Sequence, residues 1–172
     1  ALKENYFLDD GAYLITRLLI ALAQASKDGK SLTDLISELE MPKEEWEVRL
    51  QFVPNCDFKT LGNQILKDFA SYAQKTAYIT PANDNFEGCR VNYDEAHGLG
   101  WALLRMSLHE PILPINIESD MEGGAFKIAK NLYYFLKNYA YLDPTTLRAA
   151  IEKERARRIK ELAEKDVLSL LF

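Results

Sequence analysis

The sequence predicts an α+β domain in which an antiparallel sheet of about four strands carries helices on one face. Apolar and polar residues alternate over 45–52, and three further strand-like segments occupy 89–93, 100–106 and 112–118. Short, turn-rich links between the later strands favour a meander of neighbouring antiparallel strands. Residues 44–142 therefore read, in order, as strand, helix, three strands and helix.

The segment that precedes this unit, residues 1–43, is predicted to be helical. Leucine and isoleucine recur every three or four residues over 10–25, where Asp9 and Asp10 provide N-cap chemistry. A second, shorter helix is expected over 32–39. We interpret residues 1–43 as the helical tail of a preceding domain followed by a hinge.

The helices of the main unit are predicted from apolar stripes. One runs over 57–75, with Leu61, Ile65, Phe69 and Tyr72 on its inner face, and another over 125–139. Residues 80–87 are expected to form a loop. Asp143 is expected to cap a last helix that ends near residue 166, and its charged surface suggests an appendage spanning 143–172.

Composition limits the classes of protein that this chain can belong to. It has 172 residues, of which 48% are hydrophobic and 27% charged, enough for one domain with a core. A net charge of −5 argues against nucleic acid or an anionic membrane surface as partner, since both require a basic footprint. The sequence has no secretory signal and no apolar run of about 20 residues.

Two cysteines, Cys56 and Cys89, lack metal-type spacing. Free thiols in a cytoplasmic protein are the preferred interpretation, and a disulfide between the two is the alternative. The chain begins with Ala1 rather than Met, from which we expect a piece of a longer protein.

The densest polar segment is RMSLHEP at residues 105–111, between two apolar strands. Arg105 offers a planar fork of donors suited to phosphate or carboxylate, and Ser107 and His109 add a hydroxyl and a ring N–H. A tight loop also turns backbone N–H groups outward, in the geometry that holds anions. The alternative is a polar turn in which Arg105 pairs with an acid and His109 is solvated.

Two further residues are open to more than one interpretation. Arg90, on the strand 89–93, could point at the same anion as Arg105 or form a structural ion pair. His97 could act as a base, but a solvated turn histidine is the default. For both cysteines, the preferred interpretation is that they are small residues of the core.

The motifs EGCRV at 87–91, GWALLRMSLHEP at 100–111 and PINIES at 114–119 resemble the C-terminal domain of the α-D-phosphohexomutases. This superfamily includes phosphoglucomutase and phosphomannomutase. Its closing domain has an Arg-x-Ser-x-x-Glu/Asp-Pro phosphate loop between two strands, preceded by a strand with a Gly-x-Arg pattern. The resemblance covers about residues 45–140, and the helix that opens with DDGA at 9–12 is similar to the last helix of the family's third domain.

The resemblance implies an isomerase, or intramolecular phosphotransferase, that interconverts hexose 1-phosphate and 6-phosphate through a bisphosphorylated intermediate. In this family a phosphoserine donates its phosphoryl group, and the last domain closes over the cleft and grips the phosphate that is not reacting. Carried onto this chain, Arg105 and Ser107 would bind that phosphate, with Arg90 pointing at it. Leu108, where the family commonly has Gly or Asn, would contribute its backbone N–H, and His109 stands where Thr is common. Mg²⁺ and a hexose 1,6-bisphosphate activator are implied for the full-length enzyme.

Three motifs of the family are absent from this sequence: the catalytic Ser-His-Asn, the magnesium loop Asp-x-Asp-x-Asp and the sugar-binding Gly-Glu-x-Ser. We therefore expect no catalytic and no metal-binding residues here, and a chain that is inert alone. Its expected partners are a phosphosugar, through the phosphate group, and the remaining domains of the same protein. The alternative is a non-catalytic interaction module that uses its helical ends as docking surfaces.

Overall fold

A computed structural model describes residues 11–83, 85 and 87–169. The chain divides into two compact units, Ala1–Met41 and Pro42–Phe172. The predicted N-cap at residues 9 and 10 lies outside the described residues.

In the first unit, helix α1 spans Gly11–Lys27 and a single turn of 3-10 helix spans Thr33–Ile36. The second helix predicted over 32–39 is therefore reduced to one turn. A polar side chain explains the difference, because the Ser37 hydroxyl donates at 2.9 Å to Asp34 O, the carbonyl that would accept from the residue 38 N–H in a continuing α-helix. Local bonds of this kind compete with the helical hydrogen-bond ladder.

The second unit is built on a six-stranded sheet in which every neighbouring pair is antiparallel. The strands are β1 Glu44–Phe52, β2 Ile79–Pro81, β3 Cys89–Tyr93, β4 Gly100–Leu104, β5 Ile112–Ser119 and β6 Leu142–Asp143. Their order across the sheet is β2-β3-β4-β5-β1-β6. Strand β1, the first in the chain, thus lies between two strands that come much later.

This sheet confirms the predicted fold class and adds a short strand at each edge of the predicted four. The segment predicted as a loop over 80–87 begins inside β2, whose Pro81 is tolerated because an edge strand needs fewer N–H donors. At the other edge, β6 has only two residues, too few for an alternating pattern. Strand β4 ends at Leu104 rather than at Met106, where the chain enters the loop that carries Arg105.

One hydrophobic core lies between the sheet and the helices α2 Phe58–Lys75, α3 Gly124–Leu136 and α4 Thr145–Ser169. Strand β1 shows the alternation, since Val48, Leu50 and Phe52 are buried and the residues between them are exposed. The inward residues of the other central strands join the same core: Val91, Ala102, Leu104, Leu113, Ile115 and Ile117. The opposite face of the sheet carries no helix in the described part of this unit.

The last helix belongs to the sheet unit rather than to a separate appendage of residues 143–172. Leu147 in its first turn is fully buried, because the apolar side of this turn packs against α3 and β1. Asp143 caps the helix as predicted, accepting from Thr145 N–H at 2.9 Å. Over residues 151–164 the helix surface is largely exposed and charged.

Candidate functional site

The loop after β4 lies beside β1 on the helix-free face of the sheet. Arg105 continues the ladder of β4, and its backbone N–H donates to Pro114 O at 3.1 Å. Arg49 of β1 is the register partner of the same Pro114 on its other side. Because side chains alternate along a strand, Arg49 and Arg105 both project to the helix-free face. The two arginines thus flank one residue of β5.

Close packing beneath the loop determines where Arg105 points. Met106 packs on the core from the helix side, and a Cβ added to Gly62 of α2 would lie 1.9 Å from Met106 Sδ. Gly88, just before β3, has a φ of 132°, and a Cβ added there would lie 2.2 Å from Leu104 O. With Met106 held on the helix side, alternation directs Arg105 to the opposite face.

Hydrogen bonds within the loop close a turn around Ser107. Its Oγ accepts from the backbone N–H groups of His109, at 3.4 Å, and Glu110, at 3.2 Å. No acceptor for its own hydroxyl proton lies among the described residues, so that proton is free to donate to a ligand. The far end of the loop is tied to β1, because Phe52 N–H donates to Pro111 O at 2.9 Å.

These groups surround an open cavity of about 260 Å³. It is lined by Arg49, Arg105, Met106, Ser107, Leu108, His109, Glu110, Ile112 and Pro114. Within the described part of the chain, no acidic side chain pairs with Arg105. Arg49 instead pairs with Glu47, whose Oε1 lies 2.8 Å from its Nε and 2.7 Å from its Nη2. The cavity therefore presents one unpaired guanidinium and one that shares an exposed carboxylate.

Four of the five predicted site residues, Arg105, Ser107, Leu108 and His109, line this cavity together. Leu108 is 77% exposed and is not among the residues with positive φ. A leucine is therefore compatible with the loop backbone at a position where the resembling family commonly has Gly or Asn. Its backbone N–H has no acceptor in the described part of the chain.

The fifth residue, Arg90, lies outside the cavity. It faces the same side of the sheet beside Leu103, but its guanidinium carbon lies over the Trp101 ring, 4.3 Å from the centroid. Trp101 is at the far end of β4 from the loop, so Arg90 points away from Arg105. Its contact is a cation–π interaction, which neither sequence-based alternative included.

Sequence reasoning missed Arg49, which was counted only among the polar residues of an alternating strand. A signal was present, because Arg49 is the single basic residue on the polar side of 45–52, beside Glu45, Glu47 and Gln51. Its place in the site depends on the pairing of β1 with β5, which the sequence pattern alone did not reveal.

Two other candidates have contacts that explain them structurally. His97 Nδ1 lies 2.6 Å from Asp94 Oδ1, and its ring stacks on Tyr78 with centroids 3.8 Å apart. The hydrogen bond from the His97 side chain lowers the pKa of the Asp94 carboxyl. Both cysteines are free, and burial raises the pKa of the Cys89 thiol, as suits a core residue.

The residues that the structure describes contain no group of three or more His, Cys, Asp or Glu side chains placed to hold a metal ion. Across the same residues, no helix combines the length and the apolar character needed to cross a membrane.

No protein-family profile matches the sequence, and no curated protein matches it. One solved structure with a similar backbone is a phosphoglucomutase/phosphomannomutase family protein from Burkholderia thailandensis, at 22% identity and a TM-score of 0.49. The alignment covers 80% of this chain and 26% of that chain. This chain therefore spans about a quarter of the length of that protein.

Proposed function

We propose that this chain is the C-terminal, phosphate-binding part of a phosphoglucomutase- or phosphomannomutase-like enzyme. The observation that carries the proposal is Arg105, which lines the loop cavity and has no acidic partner among the described residues. An unpaired guanidinium beside a hydroxyl with a free proton suits recognition of a phosphate dianion. The RMSLHEP loop adds support, because it resembles the phosphate loop of the phosphohexomutases.

Each loop residue would have a distinct role in binding. Arg105 would donate two parallel N–H bonds to phosphate oxygens, and Ser107 would donate its hydroxyl proton while still accepting from the loop amides. The backbone N–H of Leu108 and the ring of His109 would supply further donors. This chain would position the non-reacting phosphate of the sugar and exclude water, without breaking or forming a bond itself.

The chemical step would belong to other domains of the intact enzyme. The phosphoserine, the Mg²⁺ and the bisphosphate activator would all act there, on a hexose 1-phosphate or 6-phosphate. The chain of 172 residues is then expected to bind a phosphosugar but to show no mutase activity alone. Conversion of glucose 1-phosphate to glucose 6-phosphate by this chain alone would contradict the assignment of its role.

A titration followed by NMR tests the proposed binding. Amide signals of residues 105–110 are expected to shift on addition of inorganic phosphate or glucose 1-phosphate, with a Kd in the millimolar range, about −4 kcal/mol. Arg105→Gln should weaken binding at least ~10-fold, the loss of about 1.4 kcal/mol expected for charge-assisted donors. Absence of any shift in the loop at high phosphate would overturn the proposal.

A matched control exists on α4. Arg148 is exposed, pairs with Glu152 at 2.8 Å and is not among the residues that line the loop cavity. Arg148→Gln removes the same charge, and we expect it to change the Kd less than ~1.5-fold, because Arg148 is outside the cavity lining, is paired with Glu152 and is exposed to screening by salt. Equal weakening by both substitutions would mean that net charge, and not the loop, attracts the anion.

The groove between α3 and α4 supports a second function, the docking of a protein partner. Its volume is about 500 Å³, and the exposed side chains of Tyr134, Ile159 and Leu162 line it. Lys130 and Arg155 line it as well, without acidic partners among the described residues. Charge complementarity then selects one occupant, an amphipathic helix whose apolar stripe is flanked by acidic residues.

The same labelled protein separates the two functions. A synthetic amphipathic peptide with a leucine stripe and flanking glutamates should shift signals of α3 and α4, and Ile159→Lys should abolish those shifts. The matched peptide with lysines in place of the glutamates should leave them unchanged. Equal binding of both peptides would remove charge complementarity as the basis for this partner.

A further inference from the structure

We propose that Arg49 is a second phosphate-binding residue of the loop site, and that Glu47 holds its guanidinium until the ligand binds. This inference rests on the proposed phosphate-binding function. It adds to the site a residue of β1, which the loop motif does not contain.

The first support is the register of the sheet. Arg49 on β1 and Arg105, the first residue after β4, lie on either side of β5, each directly beside Pro114. Two strand spacings separate their backbones, about 10 Å. Two arginine side chains that project from the same face over this distance can converge on one phosphate. Pro114 between them is buried and provides an apolar floor.

The second support is electrostatic. Two guanidinium groups that line one small cavity repel each other unless an anion lies between or beside them. In the absence of ligand, Glu47 supplies that negative charge to Arg49. The side chains of this pair are 60% and 46% exposed, so the pair contributes little to stability and is easily exchanged.

A phosphate monoester would replace Glu47 as the partner of Arg49. Its dianion carries twice the charge of the carboxylate and would contact both arginines at once. Glu47 would then be released to solvent on the open face, opposite the neutral Asn116 of β5. The expected ligand is therefore a terminal phosphate group with two negative charges, in preference to a phosphodiester with one.

Two substitutions with opposite expected effects on phosphate affinity test this inference on the full chain, with inorganic phosphate as the probe. Arg49→Gln is expected to weaken phosphate binding ~10-fold, whereas Glu47→Gln is expected to tighten it ~3-fold by freeing Arg49. Arg49→Lys keeps the charge without the planar fork and should give an intermediate Kd. Dimethyl phosphate, a diester, should bind wild type at least ~10-fold more weakly than inorganic phosphate at pH 8.

Two controls match these changes. Glu45→Gln removes a carboxylate from the same strand and face, two residues from Glu47 and paired across the sheet with Glu118 instead. Arg148→Gln removes an arginine from an exposed ion pair on α4. Both are expected to change the Kd less than ~1.5-fold. The amide spectrum of each variant verifies that the sheet remains folded.

The outcomes separate this inference from the proposed function. If Arg105→Gln weakens binding and Arg49→Gln does not, Arg49 is only part of a surface ion pair, and the inference fails alone. The inference is also overturned if Glu47→Gln and Glu45→Gln have equal effects, because Glu47 then has no special link to the site. If wild type shows no shift in residues 105–110, the proposed function fails as well.

Discussion

The N-terminus of α3 and the loop after β4 both carry clustered hydrogen-bond donors of the kind that suits an anion, but they differ in whether the chain itself provides one. At α3 the anion comes from the chain itself, since the Glu44 carboxylate accepts from Gly123 N–H at 2.7 Å and Ala125 N–H at 2.9 Å. Arg158 Nη2 adds a third bond to this carboxylate, at 3.0 Å. At the loop, no carboxylate of the described residues reaches the guanidinium of Arg105.

Burial separates the two regions further. The side chains of Glu44 and Arg158 are only 14% and 28% exposed, so their bonds are partly shielded from water and stabilise the fold. The loop donors face an open cavity, where water solvates them at little cost. Donors matched by the chain's own acid thus serve stability, whereas donors left to solvent are available to a ligand.

The largest expected effect on stability comes from disturbing the close contact between Gly88 and Leu104, just before the loop that carries Arg105. Gly88→Ala places a Cβ 2.2 Å from Leu104 O at a φ of 132°, and neither the backbone oxygen nor the backbone angle can relax easily. We expect a loss of about 3 kcal/mol in the free energy of unfolding, measured by urea denaturation. A loss below about 1 kcal/mol would show that the strand beneath the loop is more adaptable than its geometry indicates.

Gly62→Ala is the matched substitution on α2, where the added Cβ would meet Met106 of the same loop. Its Cβ meets only the flexible end of Met106, and alanine favours the helix by roughly 1 kcal/mol over glycine. Stability should therefore change little, within about 1 kcal/mol, whereas the Kd for phosphate should rise because a displaced Met106 shifts Arg105. Unchanged phosphate binding would mean that Met106 does not position the loop.

The next largest expected effect concerns the N-terminus of α3, where the Glu44 carboxylate accepts from backbone N–H groups. Glu44→Gln should lower the free energy of unfolding by about 2 kcal/mol, because Arg158 and two backbone N–H groups lose a charged acceptor. Arg105→Gln should change it by less than about 0.5 kcal/mol, since its guanidinium has no partner to lose among the described residues. Equal losses in the two variants would erase the distinction between the two regions.

The smallest expected effect is on the pH dependence of stability, and it concerns Glu154, which neighbours Arg158 on α4. The hydrogen bond from Arg157, together with the nearby Arg158 guanidinium, lowers the pKa of Glu154 from its usual value of about 4.5. Because the folded pKa is the lower one, this contribution to stability is complete above about pH 4.5 and is lost as the pH falls through the folded pKa. Urea unfolding between pH 6 and pH 3 should show a shallower decline for Glu154→Gln than for wild type. Parallel curves would remove Glu154 from the stabilising network.

The elements that carry long periodic patterns could be predicted from the sequence. Strand β1 and helix α2 follow directly from alternating and helical apolar spacing, and Asp143 was identified as a cap from its chemistry. The edge strands could not be predicted, because β6 has two residues and β2 contains a proline. The turn at Thr33–Ile36 is shorter than the predicted helix because propensity does not account for side-chain bonds such as that from the Ser37 hydroxyl to Asp34 O.

The residues of the candidate site also fall into a part that the sequence predicts and a part that it does not. Arg105 to His109 are local in sequence, so a motif could group them, and they do line one cavity. Arg49 joins them only through its register with Pro114, a non-local pairing that no spacing reveals. For Arg90 the sequence leaves open an anion contact or an ion pair, but its guanidinium lies over the Trp101 ring, an outcome that depends on rotamer and packing.

The position of β1 in the sheet has a consequence for how the protein is made. As the chain emerges from the ribosome, residues 44–52 appear before the other strands of the sheet, but both of their edges stay unpaired until residues 112–119 and 142–143 arrive. Such distant pairings form late and slowly in folding. Because Arg49 meets Pro114 only when β5 docks, the two-arginine cavity would be assembled by the same step that completes the sheet, and an incompletely synthesised chain would have no such site to offer a ligand.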